Sequence, residues 1–350
     1  MILNKGYGHG GDIYSRPTRL DFSANVNPFG APEPVKAAVR GAAEEMTAYP
    51  DPYCGPLREK LAALNGVVRE DVICGNGAAE LIYQFAMALQ PKKALLPVPS
   101  FSDYENALIA AGCAPTFYPL ERENGFLLTE EILARIAPET DLLMLCSPNN
   151  PTGRSVPRAL LLQILDRCRE TQTWLFLDEC FLELTDEDRV FSLASLLQDG
   201  DRVFLLRAFT KAYGMAGLRL GYGLCKDRAL MERMCRLVQP WNVSTPAQAA
   251  GLAALECPDW PRKARDLVRT EKPWLSEKLT ALGAAVLPGD ANYLFFSGAP
   301  GLYEKLRDRG VLIRDCSNYR GLCPGDYRIA VRTRRENEAL LMAIEEAWNV

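Results

Sequence analysis

Three apolar runs constrain this chain more than anything else in it: Leu142-Leu-Met-Leu-Cys146, Trp174-Leu-Phe-Leu177 and Val203-Phe-Leu-Leu206. Four or five apolar residues without polar alternation read as strands buried on both faces, the pattern of a parallel sheet. Each run leads into a polar group. Asn150 follows in Ser147-Pro-Asn-Asn-Pro-Thr-Gly153, Asp178 closes the second run, and Lys211 follows the third in Arg207-Ala-Phe-Thr-Lys-Ala-Tyr-Gly214. Open parallel sheets bind ligands outside the carboxyl ends of their strands, so an amide, a carboxylate and an amine are delivered to one edge. Taken alone, a lysine at a strand end is a solvated surface group. In this company it reads as a desolvated amine with a lowered pKa, able to condense with an aldehyde.

Pyridoxal phosphate is the ligand that this triad fits. Lys211 would hold its aldehyde carbon, Asp178 would keep its pyridine nitrogen protonated, and Asn150 would bond its ring hydroxyl. A protonated ring is the electron sink on which the chemistry of that cofactor depends. The phosphate needs a separate site, and Asp71-Val-Ile-Cys-Gly-Asn-Gly-Ala-Ala-Glu80 offers one. A short strand turns through Gly75 and Gly77 into an apolar helix over 78–89. The N–H groups at its start (Gly77, Ala78 and Ala79) are open to an anion. By itself a Gly-x-Gly is an ordinary tight turn. Beside the lysine strand it reads as a phosphate cradle, with Arg219 as its cationic partner.

Further strands are predicted over 72–74, 94–97, 116–118 and 222–224, alternating with helices such as 33–46, 56–64 and 159–170. The fold class is therefore α/β, a mostly parallel sheet covered on both faces. Residues 1–30, rich in Gly, Asn and Pro, read as an irregular arm, and 31–245 as the large domain. Residues 246–350 read as a smaller C-terminal α+β domain, with short strands at 285–287, 293–296, 312–314 and 327–331 and a last helix from Glu336. A chain of 350 residues has room for both domains.

A net charge of −4 without a basic block argues against nucleic acid and anionic membranes as partners. No apolar run approaches a membrane span, and Met1-Ile-Leu-Asn-Lys-Gly6 lacks the apolar stretch of a signal peptide. Eleven scattered cysteines, with no Cys-x-x-Cys, read as apolar thiols in a reducing cytoplasm. His9 is the single histidine, which disfavours a metal site.

The motifs Asn150-Pro-Thr-Gly153, Asp178, Thr210-Lys211 and Gly217-Leu-Arg-Leu-Gly221 resemble, in order and spacing, the fold type I pyridoxal-phosphate enzymes of the aspartate aminotransferase (class I/II) superfamily. Phe22-Ser-Ala-Asn-Val-Asn-Pro-Phe-Gly30 and Tyr49-Pro-Asp51 are similar to the branch that holds histidinol-phosphate aminotransferases and L-threonine-O-3-phosphate decarboxylases. His9-Gly-Gly-Asp-Ile13, Arg314-Asp-Cys-Ser-Asn-Tyr-Arg-Gly-Leu322 and Tyr327-Arg-Ile-Ala-Val-Arg332 look more like the decarboxylases. The resemblance implies that Phe101 stacks on the cofactor ring and that Thr210 contacts its phosphate. It implies that Tyr49 reaches the cofactor of a neighbouring subunit, hence a homodimer with shared active sites. It also implies that Arg328 grips a substrate carboxylate, while His9, Gly10, Gly11, Asn25, Arg314 and Arg332 contact the rest of a phosphorylated amino acid.

Read without the resemblance, Phe101 is equally a core residue, Tyr49 a loop tyrosine at a packing surface, and His9 an exposed terminal residue. Arg314 and Arg332 could be solvated. Arg328 differs, because an arginine in an apolar strand needs a partner, and on alternating strand positions Arg328 and Arg332 face one side. Two departures stand out. Phe181 occupies the position, three after the aspartate, where many relatives carry a tyrosine, and Ala208 stands where they carry Ser or Thr.

Reaction type follows from which bond at Cα is held perpendicular to the ring: the bond to the carboxylate for decarboxylation, the bond to hydrogen for transamination. The terminal motifs favour decarboxylation of L-threonine O-3-phosphate to (R)-1-amino-2-propanol O-2-phosphate, a step of cobalamin biosynthesis. Amino transfer from histidinol phosphate is the alternative.

Overall fold

The computed structural model describes residues 8–185 and 191–348. Seven strands form the central sheet in the order Val72–Asn76, Leu220–Leu224, Val203–Ala208, Trp174–Asp178, Leu142–Cys146, Ala94–Val98 and Thr116–Pro119. Leu220–Leu224 runs antiparallel to both neighbours, and the other ladders are parallel.

The apolar runs are unbroken because successive side chains enter two different cores. Leu143, Leu145, Leu175, Leu177 and Leu205 pack on one face; Leu142, Met144, Phe176, Phe204 and Leu206 pack on the other. There Phe176 and Phe204 stack with ring centroids 5.6 Å apart, against Phe85 of helix Ala78–Leu89. Residue 223 must be glycine, since a Cβ would stand 2.1 Å from Phe204 Cζ. Truncating so enclosed a ring to alanine costs about 3–5 kcal/mol.

Helix Thr245–Leu255 starts at the 245/246 boundary expected from sequence and runs beyond it, yet its Ala247, Ala250 and Ala254 belong to the first of these cores. Small side chains permit the close approach: a Cβ at Gly251 would meet Leu220 at 2.5 Å and Leu57 at 3.1 Å. The 23-residue helix Asp259–Ala281 leads on to a four-stranded antiparallel sheet ordered Arg314–Asp315, Asp326–Ala330, Tyr293–Ser297, Ala285–Leu287. The single strand expected at 312–314 is split. Val311–Leu312 pairs in parallel with Leu20–Asp21, and the chain joins the four-stranded sheet only at Arg314. Helix 33–46 is also shorter than expected, ending at Ala42 before a 3-10 turn at Ala43–Glu45.

The segment 20–27 ties the two sheets together. Phe22, fully buried, accepts the N–H of Ala330 at 2.8 Å through its carbonyl. Asn27 donates its backbone N–H to the carbonyl of Lys211 at 2.8 Å and its side-chain amide to that of Ala212 at 2.7 Å.

Candidate active site

Strand register sets the site. Cys146 lies opposite Asp178, and Asp178 opposite Leu206, so the three apolar runs end level with one another. Beyond those ends come the turn bearing Asn150 and the short helix Phe209–Ala212 bearing Lys211. The antiparallel strand brings its amino end to this same edge. Arg219 stands there, next to Gly77 at the carboxyl end of Val72–Asn76. Asn150, Lys211 and Arg219 border a cavity of about 390 Å³, with Gly77 against Arg219 just outside its lining.

On its cofactor side the cavity is lined by Lys211, Asp178, Asn150, Thr210 and Arg219, with Ala78, Ala79 and Phe101. Burial, followed by the charge of Arg328, lowers the Lys211 amine to about 8. Roughly a tenth of the amine is thus neutral at pH 7, against about 0.03% for an unperturbed lysine. Burial pushes the Asp178 carboxyl up, against two donors that favour its ionised form. Cys180 gives its N–H to Oδ1 at 2.8 Å, and Tyr104 gives its hydroxyl to Oδ2 at 2.6 Å. Asn150 Oδ1 accepts from Arg328 Nη1 and from the Tyr319 hydroxyl at 3.3 Å, so its amide nitrogen is the group it offers to the cavity.

These residues fit pyridoxal phosphate. A Cβ at Gly77 would lie 2.4 Å from Arg219 Nη2, and one at Gly221 would lie 2.5 Å from the nitrogen of Ala78. The guanidinium therefore lies against bare backbone at the start of a 12-residue helix, where N–H groups and positive charge suit a phosphate.

Across the cavity the charge pattern is unusual. Arg314 and Arg328 are directly opposed across two strands of the second sheet, and they are only 6% and 5% exposed. Like charges so placed repel. Arg314 donates to the Asp315 carbonyl at 2.5 Å and to Asn318 Oδ1 at 2.8 Å. Arg328 donates to Asn150 and, at 2.8 Å, to the carbonyl of Ser23, and its Nε has no partner. Asn25, 1% exposed on the cavity wall, has neither amide atom paired. Buried groups left this way mark a site completed by a ligand or ordered water. His9 and Gly10 also line the cavity, His9 with Nε2 3.4 Å from Asp103 Oδ1.

Three expected residues lie elsewhere. Arg332 is not brought into the cavity. The strand ends at Ala330, and Glu336, four residues on, pairs with the guanidinium at 2.7 Å. Gly11 stands behind the wall, donating its N–H to Ser23 Oγ at 2.7 Å. Tyr49 is on the surface of this chain, 77% exposed and stacked on Trp241 with ring centroids 4.3 Å apart. Conversely, Tyr104, Tyr319, Asp103 and Ser23 line the cavity without having been singled out in the sequence. Tyr104 carried a signal, since it sits three residues after Phe101 at the start of helix Ser102–Ala110 and so shares its face.

Residues 17–344 match the aminotransferase class I and II family. The chain is 37% identical over 348 residues to a threonine-phosphate decarboxylase of Salmonella typhimurium, covering 96% of this chain and 95% of that one. It is 33% identical over 335 residues to a histidinol-phosphate aminotransferase of Methanosarcina mazei, covering 93% and 87%. The crystal structure of L-threonine-O-3-phosphate decarboxylase from Porphyromonas gingivalis superimposes with a TM-score of 0.84 at 26% identity, over 95% of this chain and all of that one. The expected fold type I architecture is thus present, and the chain belongs to the class I and II aminotransferase family of pyridoxal-phosphate-dependent enzymes.

Proposed function

We propose that this enzyme decarboxylates L-threonine O-3-phosphate to (R)-1-amino-2-propanol O-2-phosphate. The observation that carries the reading is the opposed pair Arg314 and Arg328, buried side by side and bonded to neutral oxygens. One carboxylate can engage one guanidinium in a two-pronged grip. A second buried guanidinium, with His9 and the unpaired Asn25 on the same wall, calls for a second anionic group. Two curated relatives at 37% and 35% identity carry the name threonine-phosphate decarboxylase, one of them as putative, which supports the same choice.

In this reading Arg328 holds the substrate carboxylate and Asn150 bonds the ring hydroxyl of the cofactor, while Arg314, His9 and Asn25 hold the substrate phosphate. Thr210, Arg219 and the N–H groups of Gly77, Ala78 and Ala79 hold the cofactor phosphate. Phe101 covers the ring, and Asp178 pairs with its nitrogen. Bound there, pyridoxal phosphate supplies an electron sink for the pair released at Cα. Lys211, neutral in part because of its burial, anchors the cofactor; displaced by the substrate amine, it would take up the proton which that amine gives up and deliver it to Cα in place of the departing carbon dioxide.

The enzyme acts as a homodimer in this reading, with Tyr49 completing the partner subunit's site. Met46, Tyr49 and Tyr53, 74–77% exposed within eight residues, support an apolar contact there.

The test is to supply the cofactor-loaded protein with L-threonine O-3-phosphate and no 2-oxo acid. Carbon dioxide is expected, with little from unphosphorylated threonine. Brisk amino transfer from histidinol phosphate to 2-oxoglutarate, without carbon dioxide from threonine phosphate, would assign the aminotransferase activity instead.

A further inference from the structure

We propose that Ser23 is a positioning residue that couples the two anion-holding ends of the substrate site, and through that coupling selects for phosphorylated substrates. The proposal rests on the two-anion reading above. Ser23 is 3% exposed, and its two oxygens face different tasks. The hydroxyl donates to Asp21 Oδ1 at 2.6 Å, and the Ser23 N–H bonds that same oxygen at 2.8 Å. With its proton committed to a carboxylate, Oγ presents only lone pairs, and it accepts the N–H of Gly11 at 2.7 Å. Asp21 is itself fixed by its ladder with Leu312.

The Ser23 carbonyl, meanwhile, accepts Arg328 Nη2 at 2.8 Å. Gly10 lies flat on that carbonyl, where a Cβ would come within 2.3 Å of the oxygen. His9, the next residue, reaches the cavity beside Phe101, with ring centroids 5.6 Å apart. One residue thus fastens both the arm bearing His9 and the guanidinium of Arg328. Releasing the arm removes His9 from the cavity and also opens the Arg328–Ser23 bond to water, which weakens it. Any substrate loses some of the grip on its carboxylate, whereas one that spans both ends loses His9 and the alignment between the two ends as well.

The experiment measures carbon dioxide release by the cofactor-loaded protein from L-threonine O-3-phosphate and, separately, from L-threonine. The ratio of the two kcat/KM values is the readout. Ser23→Ala keeps the carbonyl and removes the hydroxyl, so the preference for the phosphorylated ligand should fall roughly tenfold, the worth of one hydrogen bond, with cofactor retention maintained. Gly10→Ala should lift the arm and produce the same fall with the hydroxyl intact; it decides the matter if Ser23→Ala does not fold. A preference that survives in either folded variant overturns the role of Ser23 and leaves the two-anion reading standing. A wild-type protein with no preference sinks that reading itself.

Discussion

Lys211→Met exchanges a buried amine for a thioether of nearly the same length. Burial and the neighbouring charge of Arg328 lower the lysine from 10.5 to about 8. That depression corresponds to about 3 kcal/mol of folding free energy. The sign follows from which state loses its proton first. Below pH 8 the amine is charged in both folded and unfolded chains, and the folded chain bears the whole cost of burying the charge. Between pH 8 and 10.5 the folded form deprotonates ahead of the unfolded one, and the cost fades. Cofactor-free Lys211→Met should therefore be about 3 kcal/mol more stable than wild type at pH 7, with the advantage nearly gone by pH 10.5. Urea unfolding of both apoproteins at three pH values measures this, and taking their difference cancels the titration of other groups. A variant less stable at pH 7, or a difference that stays flat with pH, would refute the reasoning. At pH 7 the same depression raises the fraction of neutral amine roughly 300-fold, so stability is surrendered where the chemistry needs a free base.

Tyr104→Phe removes the hydroxyl 2.6 Å from Asp178, leaves the Cys180 N–H as its remaining donor, and raises the carboxyl further; pyridoxal phosphate should bind about 10-fold or more weakly, with part of the loss recovered at higher pH, as measured by equilibrium titration. Gly77→Ala presses a methyl within 2.4 Å of Arg219 Nη2, so the advantage of pyridoxal phosphate over pyridoxal in binding should shrink; an unchanged advantage would place the phosphate elsewhere. Arg314→Ala should weaken threonine phosphate binding roughly 10- to 150-fold, while Arg332→Ala, which removes a partly exposed ion pair with Glu336, should cost at most about 1 kcal/mol of stability and leave that binding nearly intact. Equal binding losses in the two would mean that Arg332 turns into the cavity with substrate present. Mixing Tyr49→Phe with Lys211→Ala subunits should restore some native sites, and mixed dimers with every site defective would rule out a shared site.

Lys211, Asp178 and Asn150 were legible because each closes or follows an apolar run too continuous to be anything but a doubly buried strand. A period-two pattern places Arg332 on the cavity side only if the strand continues past Ala330, where it stops. Glu336, four residues further and inside the next helix, was the cue that the side chain would turn back. Tyr104 escaped notice because a tyrosine inside an apolar helix face looks like core packing, and only its partner, Asp178, gives it a polar task. Ser23 was invisible for a different reason. Its partners at Asp21, Gly11 and Arg328 come from one local turn and two distant segments, and no spacing in the sequence encodes that meeting. The sequence pattern starts the antiparallel strand at Tyr222, two residues late, because Leu220-Gly221 looks like a turn; the glycine is there to let Ala78 approach.

The antiparallel strand also sets a timetable. The edge strand Val72–Asn76 pairs with a segment roughly 150 residues later in the chain. At about 5–20 residues per second of synthesis, its partner leaves the ribosome on the order of 10–30 s after it does. Gly77 and Arg219 adjoin the same end of this late ladder, just beyond the Asn76–Leu220 pair, so the phosphate cradle cannot exist until the sheet has closed beside it. The cofactor consequently distinguishes finished chains from unfinished ones, since it adds its binding free energy only to the closed form.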